Sequence, residues 1–292
     1  MHLALIAIAL TLAVLWRWGL CLPMGQRSGA SSWQTRWLLT ISALLLPPLL
    51  LLTTALAIVG MGTSGTMFGA TVSRGGYALS VGFLLVAVGW LGYLGSKGWR
   101  SQQQLRAYAS ISVPLSCSQT EAKMLPVPQH FAGQIGFWQP QLVVSQGLLA
   151  DLSPAHLVAV LAHEQAHRHY RDTFWFFWFG WLRSLTAWLP HTERLWQELL
   201  LLRELRADRW AAQSVDPLLL AEALLEVVGS PMTPPPSGAT AFHDDVEMSR
   251  FEERINALLS PAVPDQPSAV YAAIGLGIAF VLLPLLLIPL HH

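Results

Sequence analysis

The chain has 292 residues, of which 53% are hydrophobic and only 12% charged, and 17 basic side chains balance 17 acidic ones. A soluble domain usually carries about 25% charged residues, so the composition excludes an ordinary soluble globular protein and indicates a membrane protein with a modest polar part. Neutral charge without a basic run argues against a nucleic-acid partner, and two distant cysteines, Cys21 and Cys117, make no disulfide framework of the secreted type.

Four stretches are apolar and long enough to cross about 30 Å of hydrocarbon. The first runs over about 3–22, with Arg17 near its end, where a long basic side chain can reach the interface. It lacks the charged start and small-residue cleavage site of a signal peptide. The second covers about 37–59 and contains Pro47 and Pro48, a pair that should kink it. The third covers about 77–94 and the fourth about 269–290. Arg27 and Arg36 lie between the first two spans, Arg74 alone between the next two, and Lys97, Arg100 and Arg106 after the third. The positive-inside rule then puts both termini outside a bacterial-type inner membrane and the long segment 95–268 in the cytoplasm. The expected layout is therefore three membrane helices in 1–94, a cytoplasmic domain over 95–268, and a last membrane helix in 269–292, with no external domain after it.

Within the long segment, residues 139–146, QPQLVVSQ, read as a short strand opened by Pro140. A helix follows from Ser153, which can cap it, with Pro154 in its first turn and an apolar stripe of Leu157, Val160, Leu161 and Ala162. On that helix His163 and His167 are one turn apart, so both imidazoles face the same way, and Glu164 adjoins the first. Zinc hydrolysis requires this set: two neutral nitrogen ligands and a carboxylate that takes a proton from activated water. Asp172 after the helix suits a cap or a structural salt bridge. His156, His169 and His191 read as surface or turn residues.

Residues 173–190, TFWFFWFGWLRSLTAWLP, hold four of the thirteen tryptophans and Arg183, a mixture suited to the membrane interface. Next, LLLLRELRADRWAA (199–212) places Glu204 and Asp208 one helical turn apart. Glu204 would complete a two-histidine, one-glutamate set with a fourth position left for water. Asp208 would accept from the free ring nitrogen of a ligating histidine. If these groups share one ion they lie on one side of the membrane, so 173–190 cannot span, because the short LWQELLLL after it could not return. Residues 229–240 read as a surface loop.

Residues 129–172, QHFAGQIGFWQPQLVVSQGLLADLSPAHLVAVLAHEQAHRHYRD, followed by RELRAD, resemble the integral-membrane zinc metallopeptidases of the BlaR/MecR type. They are more distantly similar to the HtpX and CAAX-prenyl-protease group, with a weaker echo in FEERINALLS, 251–260. The resemblance implies one catalytic Zn²⁺ held by His163, His167 and Glu204, with Glu164 as general base and Asp208 supporting a ligand. It implies a predominantly α, multi-pass fold: four transmembrane helices, with a cytoplasmic α+β gluzincin-type domain between the third and fourth. Such transducers carry a sensor domain after the fourth helix, and the layout expected here is without one. In zincins a strand like 139–146, at a sheet edge, holds the substrate by main-chain pairing, which makes Leu142, Val143 and Val144 candidate substrate-binding residues; a plain core strand is the competing reading.

The function expected is a membrane-embedded zinc endopeptidase cleaving a cytosolic or membrane protein at the cytoplasmic face, in a regulatory version a transcriptional repressor. The competing functions are quality control of membrane proteins and a non-catalytic signalling protein with a structural zinc site. Expected partners are the peptide substrate, the lipid bilayer and a second copy of the chain.

Overall fold

The computed structural model describes residues 1–24, 33–64, 66–67, 70–115, 118–228, 240–260 and 268–290. Cys117 and the surface loop expected at 229–240, save Thr240, lie outside the described residues. In chain order the first elements are α1 (His2–Met24), α2 (Trp33–Met61), β1 (Thr66–Met67), β2 (Ala70–Thr71), α3 (Arg74–Leu105), β3 (Ser110–Leu115) and β4 (Ser118–Leu125). Then come β5 (Ala132–Ile135), β6 (Gln141–Ser145), α4 (Gln146–Asp151), α5 (Pro154–His169) and α6 (Asp172–Leu185). The last are α7 (Thr192–Ala211), α8 (Pro217–Val228), α9 (Thr240–Leu259) and α10 (Ser268–Leu286), closed by a 3-10 turn at Ile288–Leu290. They form two compact units, one of residues 1–95, 178–200 and 263–292, the other of 96–177 and 201–262.

In the first unit α2 packs against both α1 and α10. Ala9, Leu46, Leu50, Leu51 and Val281 bury a shared apolar core. The approach of α10 is close because Gly277 has no side chain: a Cβ there would stand 2.5 Å from Leu46 and 2.7 Å from Trp16. Small residues serve this purpose wherever membrane helices meet. Thr53 Oγ1 adds a hydrogen bond to the Val281 carbonyl, 2.7 Å. The helix of α2 runs through Pro47 and Pro48, which have no N–H to give the carbonyls one turn back.

By length and composition the stretch His2–Leu20 and the whole of α2 and α3 are able to cross a membrane. The fourth expected span corresponds to α10, of which Ile274–Leu286 counts as a shorter apolar helix. α3 continues past the expected end at residue 94 to Leu105, through Gly95 and Gly98 and into a last turn of the helix formers Gln102, Gln103, Gln104 and Leu105. The aromatic stretch forms α6, whose 14 residues extend only about 21 Å, less than the roughly 30 Å a span requires.

The second unit is built on a four-stranded sheet of order β3-β4-β6-β5. β4 and β6 run parallel, while β3 with β4 and β5 with β6 run antiparallel. α5 packs on β5, β3 and α8, and Val113, Ala122, Leu142, Val144, Leu148, Leu161 and Leu220 are among the side chains buried between them. One expectation is corrected here. β6 lies inside the sheet, its main chain already paired to β4 and β5, so Leu142, Val143 and Val144 offer no free edge to a peptide. They are core residues, 5%, 1% and 0% exposed.

The turn from β6 into α4 depends on one glycine. Ser145 caps the helix by accepting from Leu148 N, 3.2 Å, and Gly147 N donates to the Val127 carbonyl, 3.1 Å. A Cβ on Gly147 would stand 1.8 Å from the Pro128 carbonyl oxygen, which is backbone and cannot turn aside. Gly147→Ala is therefore expected to destabilise this unit by about 3 kcal/mol or more. A midpoint shift in the chemical unfolding of the detergent-solubilised protein measures it, and an unchanged midpoint would refute it.

Candidate metal centre

α5 starts as its sequence requires: Ser153 Oγ accepts from His156 N at 3.1 Å and Pro154 occupies the first turn. Its apolar stripe buries Leu157, Val160 and Leu161. Burying that stripe fixes the rotation of the helix and thereby aims His163 and His167 at α7. From α7 comes Glu204, and one ligand atom from each of these three residues lies within 4.8 Å of the others.

The distances are specific. His163 Nε2 is 3.1 Å from His167 Nε2 and 3.2 Å from Glu204 Oε2. His167 Nε2 is 3.7 Å from the same oxygen. Bonds of about 2.0–2.1 Å at tetrahedral angles hold neighbouring ligand atoms roughly 3.3 Å apart. Two imidazole nitrogens facing one another also leave at least one lone pair directed at its neighbour unless a proton or a cation lies between them. The donor set thus fits a zinc ion: two neutral nitrogens and one carboxylate, with space for a fourth ligand.

Outer partners fix each ring. His167 Nδ1 is 2.7 Å from Asp172 Oδ2, and Arg206 donates to the other Asp172 oxygen. His163 Nδ1 lies 2.8 Å from Asp208 Oδ1, an ion-pair distance but off the line of a linear hydrogen bond. Arg254 of α9 donates to both Asp208 oxygens, each at 2.8 Å. Arg203 Nε donates to Glu204 Oε1 at 2.8 Å, which leaves Oε2 for the histidines. Each histidine therefore has its Nε2 toward the centre and its Nδ1 toward a carboxylate held by an arginine, the arrangement that selects a ligating tautomer.

These contacts set the ionisation. Burial works against a charged His163 ring, yet Asp208 and Glu204 prevail and push it up to about 10. Burial also opposes charge on His167, and Asp172 and Glu204 again raise it. Burial would raise the carboxyls, but the two histidines and Arg203 hold Glu204 well below its usual range, and Arg254 with His163 holds Asp208 down. A raised histidine is protonated below its own pKa, so near pH 7 the metal-free ring carries a proton that an incoming ion must displace. Zinc uptake at pH 7 is expected to release about one proton or more, and affinity to fall as pH is lowered. Calorimetry in two buffers of different protonation enthalpy reads the number directly, and identical enthalpies in both would contradict this expectation.

Glu164 is buried beside His163, and its carbonyl accepts from Gln134 Nε2 of β5 at 3.3 Å. His156 is not free: its Nδ1 is 2.6 Å from Glu226 Oε2. The structure brings His163, His167, Glu204 and Asp208 together, whereas Leu142, Val143 and Val144 lie in the core. Asp172 proves to be the partner of His167, and Arg206 and Arg254 were assigned nothing. The spacing of His167 and Asp172 across a helix end was a usable signal for the first. Only the faint FEERINALLS echo pointed to Arg254.

Residues 96–191, about a third of the chain, match the family model described as Peptidase family M48. No curated protein and no solved structure matches the chain. The matched segment contains His163, Glu164 and His167 and supports a zinc-dependent metallopeptidase. It ends before Glu204, Asp208 and Arg254, so their place at the centre rests on geometry.

Proposed function

We propose that the protein is a membrane-anchored zinc endopeptidase whose metal is held by His163, His167 and Glu204. The observation that carries this reading is the convergence of two Nε2 atoms and one carboxylate oxygen at 3.1–3.7 Å, with both histidines inside a segment that matches a metallopeptidase family. Bound zinc would supply the Lewis acidity that activates water and polarises the peptide carbonyl. The chain supplies the rest. Glu164 takes the water's proton and passes it to the leaving amine. Asp172 and Asp208 hold the rings in the ligating tautomer. β5 ends the sheet, packs on α5 and reaches Glu164 through Gln134, so its open edge can pair with an extended peptide beside the metal.

The three apolar helices anchor this domain, the fourth span is completed by α10, and α6 lies along the inner membrane surface. The substrate is a cytosolic or membrane protein cleaved at the cytoplasmic face. The resemblance to the sensor-transducer peptidases favours a regulatory target such as a repressor. The test compares protein N-termini in cells carrying the wild-type chain or Glu164→Gln, under several stresses. One new N-terminus specific to the wild type supports regulatory cleavage, whereas many would indicate quality control. None under any condition would overturn the endopeptidase reading.

A further inference from the structure

We propose that Arg254 is a positioning residue of the metal centre: its guanidinium grips both oxygens of Asp208 and so fixes the carboxylate that orients His163. This inference rests on the zinc reading above.

Arg254 Nε donates to Asp208 Oδ2 and Nη2 to Oδ1, both at 2.8 Å. That same Oδ1 is 2.8 Å from His163 Nδ1. Nη2 also lies 3.8 Å from Glu204 Oε2, the oxygen that faces both histidines. One planar group thus touches an outer carboxylate and an inner ligand at once. Arginine offers the flat, two-pronged fork that a carboxylate matches, and lysine offers a single point of charge.

The need for it is electrostatic. Asp208 is 1% exposed, and a buried carboxylate without a fixed counter-charge takes up a proton or moves toward the nearest donor. Here the nearest donor is His163, so loss of the fork would let Asp208 turn and carry the ring with it. The histidine would then present its Nε2 less well to the metal. On the His167 side the equivalent arginine, Arg206, which holds Asp172, stands two residues from Glu204 on α7 itself. Arg254 instead comes from α9, so α9 must be seated for the His163 side of the centre to be ordered.

The test is zinc affinity of the full-length protein, measured by competition with a chromophoric chelator, for wild type, Arg254→Lys, Arg254→Met, Asp208→Asn and the double variant Arg254→Met/Asp208→Asn. Arg254→Met is expected to weaken zinc binding roughly ten- to a hundredfold, and Arg254→Lys by an intermediate factor. The double variant should bind zinc within about threefold of Asp208→Asn alone, because both changes break one relay. If Arg254→Met or Arg254→Lys binds as tightly as wild type, or if the losses multiply in the double variant, the proposal fails. Should Arg254→Met not fold, Arg254→Lys, which keeps the charge, carries the same comparison. A wild type that retains no zinc overturns the metal-centre reading, and this proposal with it.

Discussion

A Glu164→Gln chain is expected to keep its zinc and lose peptide hydrolysis by about 10²–10⁴-fold, the range a positioned general base contributes. That loss corresponds to about 3–5 kcal/mol of barrier. The reasoning is local. Glu164 follows His163 directly on α5, is buried, and does not belong to the converging set. Its amide replacement is nearly isosteric and leaves both histidines and Glu204 in place, but it cannot take a proton from water. Hydrolysis of a quenched peptide library and zinc content, measured on the same detergent-solubilised preparation, separate the two effects. Activity within about threefold of wild type, with zinc retained, would remove Glu164 from the mechanism.

Glu204→Ala should act on the metal itself. The change removes the proposed negative ligand and leaves Arg203, whose Nε donates to Glu204 Oε1, next to the vacated position. Zinc affinity is expected to fall by more than the roughly ten- to hundredfold typical of an outer partner. A control lies on the same helix: Glu198 pairs with Arg36 at 2.7 Å and takes no part in the centre, so Glu198→Ala should leave zinc binding unchanged. Equal retention of zinc by Glu204→Ala and wild type would mean that the third ligand is another group. This result has particular weight because the family match stops at residue 191 and Glu204 stands on geometry.

The parts of the site that could be read in the sequence were those governed by short periods. His163 with His167, and Glu204 with Asp208, are spaced by one helical turn, and helical periodicity alone puts each pair on one face. Ser153 and Pro154 marked the start of α5 for the same reason, since capping is a local property. Apolar length marked α1, α2 and α3 in the same way. The sheet order was not local. QLVVS looks alike as an edge or an interior strand until its neighbours are known, although its unbroken apolar run already suited a strand covered on both sides better than one facing a peptide. Arg254 was hidden differently. A helix reading FEERINALL is ordinarily solvated, and nothing within a few residues of it reveals that a carboxylate 46 positions earlier lies opposite.

The arginines around the centre have a consequence for the ligands it will accept. Asp172, Glu204 and Asp208 are matched one for one by Arg206, Arg203 and Arg254, so these six side chains sum to zero. A divalent ion with neutral histidines would add two positive charges to this balanced set, beside the single further carboxyl of Glu164. An occupied centre should therefore favour anionic ligands. It should prefer hydroxamate and phosphonate inhibitors to neutral amides of the same shape, and the preference should weaken in Arg254→Met, where one of the positive charges is gone.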